Sequence, residues 1–255
     1  MKVSIVIISW NQLANLRRCL SAIFEHVDRL GIEVLVIDNA STDGTGDMVR
    51  SMFPEVCLRS NAANLGVARA RNQGMLHSCG EYVLLLDDDT ECTNDFVHAA
   101  IDYMERRPEI GIMGPRLYSP NGETQPSARP FPSVRGILGR GLSLITPDAF
   151  RSNYLFRFTS CSSPVEVSWV LGACQFIRKE AINDLGPLDG RYFFGYEDVD
   201  YCRRAFQANW RVVYHPGISI LHHYQRSSAK GLLSRAKYQH LRSIVLYYEK
   251  FGVSW

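Results

Sequence analysis

Residues 82–95 read YVLLLDDDTECTND, an apolar run that stops at three consecutive carboxylates, Asp87, Asp88 and Asp89. Val83, Leu84, Leu85 and Leu86 show no polar alternation, which marks a strand buried on both faces of a sheet. Strands of this kind belong to parallel α/β sheets, whose ligands bind beyond the carboxyl ends of the strands. The three acids therefore stand where a ligand would be met. Adjacent carboxylates repel one another, so a cation or bulk water must accompany them.

The chain upstream repeats the pattern. Residues 3–8 (VSIVII) form another continuous apolar run, followed by Leu13, Leu16, Leu20, Ile23 and Val27 at helical spacing. Residues 33–38 (EVLVID) predict a second strand, and NASTDGTG at 39–46 is a turn and cap before a short helix. A third strand is expected near Val56–Arg59 and a helix near Val67–His77. Strands alternating with helices predict an α/β fold with a Rossmann-like, mostly parallel central sheet flanked by helices. Its strand ends, Ser9-Trp10-Asn11, Asp38-Asn39 and Asp87-Asp88-Asp89, make a polar rim suited to a nucleotide with a metal-bound diphosphate.

Downstream the character changes between Gly114 and Glu166. Seven of the eleven prolines fall here, with Arg116, Arg129, Arg135, Arg140, Arg151 and Arg157 against three acids. A loop of this length within a domain either shapes a substrate site or is a surface excursion. Order returns at Val167 with a strand and a helix, and GYEDVDYCRRAFQAN opens another helix with acids in its first turn. Residues 211–222 read as strands broken at Pro216-Gly217. The tail is basic: Arg226, Lys230, Arg235, Lys237, Arg242 and Lys250 face only Glu249, and Leu241, Ile244, Val245, Tyr248 and Phe251 form an apolar stripe. The expected organisation is one domain over 1–224 (a strand-and-helix half over 1–113, an irregular stretch over 114–166 and a second ordered half over 167–224), with a C-terminal helical tail over 225–255.

With 255 residues, 46% hydrophobic and 21% charged, the chain is long enough for one large α/β core. A formal net charge of +2 gives no global field for nucleic acid. The seven cysteines are odd in number and form no C-x-x-C, which favours reduced thiols in a cytosolic protein over disulfides or zinc. MKVSIVIISWNQ reads as a first core strand rather than a signal peptide, and no run reaches the ~20 apolar residues of a membrane span.

Several residues carry candidate chemistry. Along an extended segment Asp87 and Asp89 fall on one side and Asp88 on the other. Two carboxylates on one side suit Mg²⁺ or Mn²⁺, though a solvated aspartate-rich turn accounts for the same letters. Glu197-Asp198 either caps its helix or supplies a general base whose pKa apolar walls would raise. Tyr192, Phe193, Phe194 and Tyr196 beside it offer flat surfaces for a sugar ring. His222-His223 follows a strand, and two adjacent imidazoles cannot easily reach one ion. Asp38 could accept from a base N–H or a ribose hydroxyl. In the stretch 61–72, Arg71 could reach a diphosphate or nucleobase and Asn72 could add polar contacts; a capping loop with a surface arginine is the simpler alternative.

Taken in order and spacing, SIVIISWN, VIDNASTDGT, NLGVARARNQG, LLLDDDT, VSWVLGACQFIRKEAINDLGPLD, YEDVDYCRRAFQANWRVVYHP and ILHHYQRSS resemble the inverting glycosyltransferases of family 2, which have the GT-A fold. The likeness runs from Val3 to about Phe251. QPSARPFP at 125–132 is similar to a Q-x-S-x-R-x-F-P stretch of the bacterial rhamnosyltransferase branch, although Asp87-Asp88-Asp89 stands where that branch often has Asn-Pro-Asp. The resemblance implies a nucleotide-sugar donor and a glycan or polyprenyl-diphosphate-linked acceptor. It places Asn11, Asp38, Arg71, Asn72, Asp87 and Asp88 on the donor and Asp89 and His222 on the metal, with His223 as the substitute ligand. Asp198 becomes the catalytic base with Glu197 beside it, and Trp169, Gly172 and Tyr196 line the acceptor side. It implies a cytoplasmic enzyme, and the basic tail either packs on the domain or touches the membrane's inner face. A sugar-nucleotide pyrophosphorylase or a dinucleotide-dependent dehydrogenase would need a glycine-rich loop after the first strand, where SWNQLANLRR has none. A non-catalytic nucleotide-sugar or glycan-binding module is the rival from another class.

Overall fold

The computed structural model describes residues 2–132, 158–223 and 235–252. Arg135, Arg140, Arg151 and Arg157 of the proline-rich stretch, and Arg226 and Lys230 of the tail, lie outside the described residues. The apolar runs become β1 (Val3–Ser9), β2 (Ile32–Asp38), β3 (Cys57–Ser60) and β4 (Tyr82–Asp87). Between them lie α1 (Leu13–His26), α2 (Thr45–Met52) and α3 (Val67–His77). All four strands are parallel, in the order β3-β2-β1-β4. Their register sets Ser9 beside Asp38 and Ile8 beside Asp87, so the polar strand ends meet at one edge.

The rest of the sheet is mixed. After β5 (Thr90–Glu91) come α4 (Phe96–Glu105) and β6 (Ile110–Tyr118), two elements that the sequence reading does not anticipate. The Asp95 side chain starts α4 by accepting from the His98 N–H. The chain continues through short β7 (Ala128–Arg129), β8 (Val165–Glu166) and β9 (Trp169–Val170) to β10 (Cys174–Arg178) and α5 (Lys179–Leu185). It ends with α6 (Glu197–Gln207), β11 (Arg211–His222) and α7 (Arg235–Phe251). Strand β10 runs antiparallel between β4 and β6, β11 lies parallel to β6, and β5 and β8 each pair antiparallel with β11.

Three boundaries differ from expectation, each for a local reason. The irregular stretch begins after Tyr118, not at Gly114, because β6 carries Gly114-Pro115-Arg116 alongside β11. Residues 211–222 are one strand, and Pro216-Gly217 marks only a register shift between His215 and Ser219, where proline has no N–H to give. The single strand expected after Val167 is two, parted at Leu171-Gly172-Ala173, a segment claimed by side chains of the site.

The core lies on both faces of the sheet. Ile5, Ile7, Leu84 and Leu86 pack with α1 and α4, while Val6, Val83 and Leu85 pack with Tyr192, Tyr201 and α6. Each fully buried aliphatic side chain contributes roughly 1.5–3 kcal/mol relative to exposure. Buried Ser243 and Tyr247 seat α7 on this second layer, and Lys250 pairs with Asp200 at 2.6 Å and Asp189 at 3.2 Å. No described helix is long and apolar enough to cross a membrane.

Candidate active site

Beyond the ends of β1 and β4 opens a cavity of about 830 Å³. On its floor Asp87, Asp89 and His222 bring ligand atoms within 4.8 Å of one another. Asp87 ends β4 and Asp89 stands in the turn before β5, closed by the Thr90 hydroxyl on the Asp87 carbonyl at 2.8 Å, so a turn and not strand alternation brings the two carboxylates together. His222 Nε2 lies 3.3 Å from Asp89 Oδ1. Its Nδ1 stands 2.7 Å from Gln125 Oε1, while Gln125 Nε2 donates to the His222 carbonyl at 2.8 Å. With the amide placed that way, Gln125 Oε1 would accept a proton on Nδ1 and leave Nε2 to face the aspartates, the tautomer that a metal ligand needs. The neighbouring His223 is engaged elsewhere, 2.5 Å from Glu91 Oε2. Oxygen, oxygen and imidazole nitrogen make a donor set that fits Mg²⁺ or Mn²⁺.

Arg71 joins this floor to the opposite wall. Its guanidinium, only 2% exposed, donates to Asp87 at 2.6 Å, Glu197 at 3.1 Å and the Gly172 carbonyl at 2.7 Å. It is not the surface arginine that a capping loop would carry. Burial pulls its pKa down, but the charges of Asp87, Glu197 and Asp198 more than offset this and leave it raised. Burial also raises the carboxyls of Asp87, against Arg71, and of Asp88. Glu197 is pushed up to about 7, first by burial and then by the charge of Asp198, with Arg71 opposing.

Helix α6 presents the acidic pair through an unusual entry. Gly195 (φ +77) and Tyr196 (φ +70) are both left-handed, and for an aromatic residue that conformation is strained and held by its surroundings. Tyr196 packs its ring against Tyr247 of α7, with centroids 5.5 Å apart. Asp198 Oδ2 accepts from the Gly172 N–H at 2.8 Å, and Oδ1 accepts from the Val199 N–H at 2.8 Å. These bonds explain why the strand breaks at Gly172: its N–H and C=O serve Asp198 and Arg71 instead of a ladder.

Other expected site residues are placed as follows. Asn11 (φ +53) lies on the cavity wall and ties down the next loop, its Oδ1 accepting from the Thr42 N–H at 2.8 Å. Trp169 also lines the cavity, under the Arg129 guanidinium, and its indole N–H donates to the Pro130 carbonyl at 2.9 Å. Asp38 is buried and accepts from the Ser41 N–H at 2.9 Å; Asn39, not Asp38, reaches the wall. Asn72 requires correction. Its amide makes two 2.8 Å bonds to the Leu188 backbone, so it braces the scaffold and does not face the cavity.

The sequence reading gave no individual role to several residues that shape the site. Gln125 stood in the quoted QPSARPFP stretch, but its partner is 97 residues away. The amides of Asn39, Asn61 and Asn64 bind one another and hold the 61–66 loop against the strand ends, which their shared spacing hints at. Trp10, 53% exposed on the wall, is an apolar side chain at a strand end. Finally, Arg235, Gln239 and His240 of α7 reach the cavity, which no local pattern announces.

A parallel half, a mixed half and an acidic floor between them make an α/β fold similar to that of the GT-A glycosyltransferases. The fold is similar to that of GalNAc-T7 with UDP, GalNAc and Mn²⁺ (TM-score 0.70, 16% identity, 98% of this chain and 48% of that one). It is also similar to the mannosyltransferase PcManGT of Pyrobaculum calidifontis with GDP-Man and Mn²⁺ (TM-score 0.60, 19% identity, 89% of this chain and 58% of that one). The chain thus spans about half to three fifths of those structures. Residues 4–186 match Glycosyl transferase family 2, and the chain belongs to that family. It is 30% identical over 268 residues to the N-acetylglucosaminyl-diphospho-decaprenol L-rhamnosyltransferase of Mycobacterium tuberculosis, covering 98% of this chain and 85% of the relative. The pre-mycofactocin glycosyltransferase of the same organism is 25% identical, over 91% of this chain and 45% of that protein.

Proposed function

We propose that this glycosyltransferase is inverting and metal-dependent, and that it moves L-rhamnose from dTDP-rhamnose to a polyprenyl-diphosphate-linked or glycan acceptor during cell-surface polysaccharide synthesis. One observation carries the reading: a buried carboxylate pair and an Asp-Asp-His cluster meet across one cavity, joined by a single guanidinium. The similarity to a rhamnosyltransferase with a lipid-diphosphate acceptor in its name supports the choice of donor and acceptor.

In the proposed reaction Asp198 takes the proton of an acceptor hydroxyl while that oxygen attacks the anomeric carbon. Attack comes from the face opposite the diphosphate, and the breaking C–O bond leaves its electron pair on the diphosphate oxygen. Its bonds from the Gly172 and Val199 N–H groups fix the carboxylate's direction and leave a lone pair for the hydroxyl. Glu197 keeps Arg71 in place, and Arg71 in turn holds Asp87. Asp89 and His222, with Asp87 adjacent, would hold a divalent cation, which would supply charge neutralisation for the departing nucleoside diphosphate. Asn11, at the end of β1, and Asn39, after β2, take the nucleoside, while buried Asp38 holds the Ser41 turn beneath them; Asp88 adds a polar contact to the donor. Trp169, Gly172 and Tyr196 form the acceptor wall. An acceptor of this kind keeps its lipid in a bilayer, so the protein works at the membrane's cytoplasmic face, where nucleotide sugars are available.

The test is transfer and hydrolysis across dTDP-, UDP- and GDP-sugars with Mn²⁺, Mg²⁺ or EDTA. Metal-dependent release of dTDP from dTDP-rhamnose is expected. Release of UDP or GDP instead keeps the mechanism and replaces the donor. No turnover and no nucleotide binding by calorimetry would turn the protein into a binding module.

A further inference from the structure

Helix α7 has two faces. Ser243, Tyr247 and Lys250, at i, i+4 and i+7, point into the molecule: Tyr247 is buried, Ser243 Oγ donates to the Phe194 carbonyl at 3.1 Å, and Lys250 reaches Asp200. The first turns of that side, Arg235, Gln239 and His240, wall the cavity. His240 stacks edge-on against Tyr196 with centroids 5.5 Å apart. The opposite side carries Tyr238, Leu241 and Val245 at i, i+3 and i+7, exposed by 66%, 55% and 56%. Single exposed apolar residues are ordinary, but three aligned along one helix edge form a surface. The exposed cations Lys237 and Arg242 flank it on either side, with the exposed Glu249 two turns beyond Arg242.

We propose that this outer face of α7 is a docking surface for an anionic lipid bilayer, and that it sets the mouth of the cavity at the membrane surface. An interfacial helix needs an apolar edge flanked by cations, with the polar remainder turned away from the lipid. Here the remainder is turned into the protein and forms part of the active-site wall, so one helix links lipid contact to the acceptor side. The charge matches anionic headgroups, with each basic residue near such a surface worth about fivefold in partition. The surface rests on the proposed function only for its purpose, delivery of a lipid-linked acceptor; the apolar and basic edge stands without it.

The experiment is co-sedimentation of the full chain with phosphatidylcholine vesicles, with and without phosphatidylglycerol, in the absence of donor and acceptor. Binding is expected only to the anionic vesicles and should weaken as salt rises. The double variant Lys237→Gln/Arg242→Gln should bind them roughly 20-fold more weakly, and Leu241→Ser/Val245→Ser at least tenfold more weakly, on the order expected for losing the apolar edge. Both should stay folded by circular dichroism and keep transfer to a water-soluble acceptor, since neither alters the inner face. The proposal is overturned if the wild type ignores anionic vesicles or if both variants bind as it does. It is equally overturned if the chain dimerises with concentration and the apolar variant abolishes the dimer, which would make this face a contact between copies. Vesicle binding without any sugar transfer would keep this surface and remove the functional reading.

Discussion

Replacing Gly172 by alanine probes the centre of the site with one methyl group. The added Cβ would stand 2.6 Å from Arg71 Nη1 and 3.3 Å from Asp198 Cβ and Oδ2. An ordinary contact begins near 3.4 Å, so the guanidinium must retreat by a little under 1 Å. It has nowhere soft to go, because Asp87, Glu197 and the Gly172 carbonyl already hold it. Overpacking of this kind costs about 1–3 kcal/mol, which for a chain this size lowers Tm by roughly 2–12 °C. Activity should suffer more than stability. A displacement near 1 Å of positioned groups costs on the order of 10²-fold, and Asp198 and Asp87 both shift with Arg71. Gly172→Ala should therefore show about 10²-fold lower kcat in a donor-turnover assay while remaining folded by circular dichroism. Turnover within about threefold of wild type, with Tm unchanged, would refute the claim that Arg71 rigidly couples the two halves of the site.

Three further changes test separate parts of the same structure. Asp198→Asn should lower turnover by ~10²–10⁴-fold while calorimetry shows donor binding nearly intact; a variant within about threefold of wild type removes Asp198 from the base role. Gln125→Leu takes away the acceptor that fixes the His222 tautomer, so Mn²⁺ affinity read by paramagnetic resonance should fall ~10–100-fold, and unchanged affinity would separate Gln125 from the metal site. Asp189 is held well below the usual carboxylate range, first by Arg191 and also by Lys250 of α7. A depressed folded-state pKa gives stability that is full above the unfolded value of ~3.9 and is lost as pH falls below it. Asp189→Asn should cost about 1 kcal/mol at pH 7, and the Tm gap to wild type should close as pH drops below ~3.9; a gap that widens on acidification contradicts the pairing.

The parallel half was legible because its signals are local. VSIVII, EVLVID and YVLLLD are unbroken apolar runs, and each ends in polar residues at the strand position where a sheet binds ligands. That Asp87 and Asp89 would meet was read from strand alternation, but it is the turn at Asp88-Asp89 that brings them together. The Glu197-Asp198 pair was visible as acids at a helix start. What remained hidden is non-local. Arg71 and Glu197 are 126 residues apart, Arg71 and Gly172 are 101, and Gln125 and His222 are 97. Asn72 misled for the same reason: its polar amide sits in a suggestive motif, yet the backbone of Leu188 claims both of its ends. Helix α7 read correctly as amphipathic, but Tyr247 and not Tyr248 is its buried anchor, and the outer edge runs through Tyr238, Leu241 and Val245.

The charge balance of the cavity leads to a last prediction. Asp87, Asp88, Asp89, Glu197 and Asp198 all line it, and the buried cation among them, Arg71, is already bonded to Asp87 and Glu197. A diphosphate approaching this floor meets more carboxylates than cations, each ionised one disfavouring a phosphate charge by about 2 kcal/mol at ~8 Å and an effective dielectric near 20. Arg129 and Arg235 line the same cavity, Arg129 over Trp169 and Arg235 over Phe193. Nucleotide and cation should therefore bind interdependently: in EDTA, calorimetric affinity for the nucleoside diphosphate should fall more than tenfold, and the nucleotide should tighten Mn²⁺ by the same factor, as linkage requires. Asp89→Asn removes one repelling charge along with one ligand, so its nucleotide affinity should be lower than wild type in Mn²⁺ yet no lower in EDTA. If Asp89→Asn weakens nucleotide binding equally with and without the metal, Asp89 is a direct donor contact and the cation is held elsewhere.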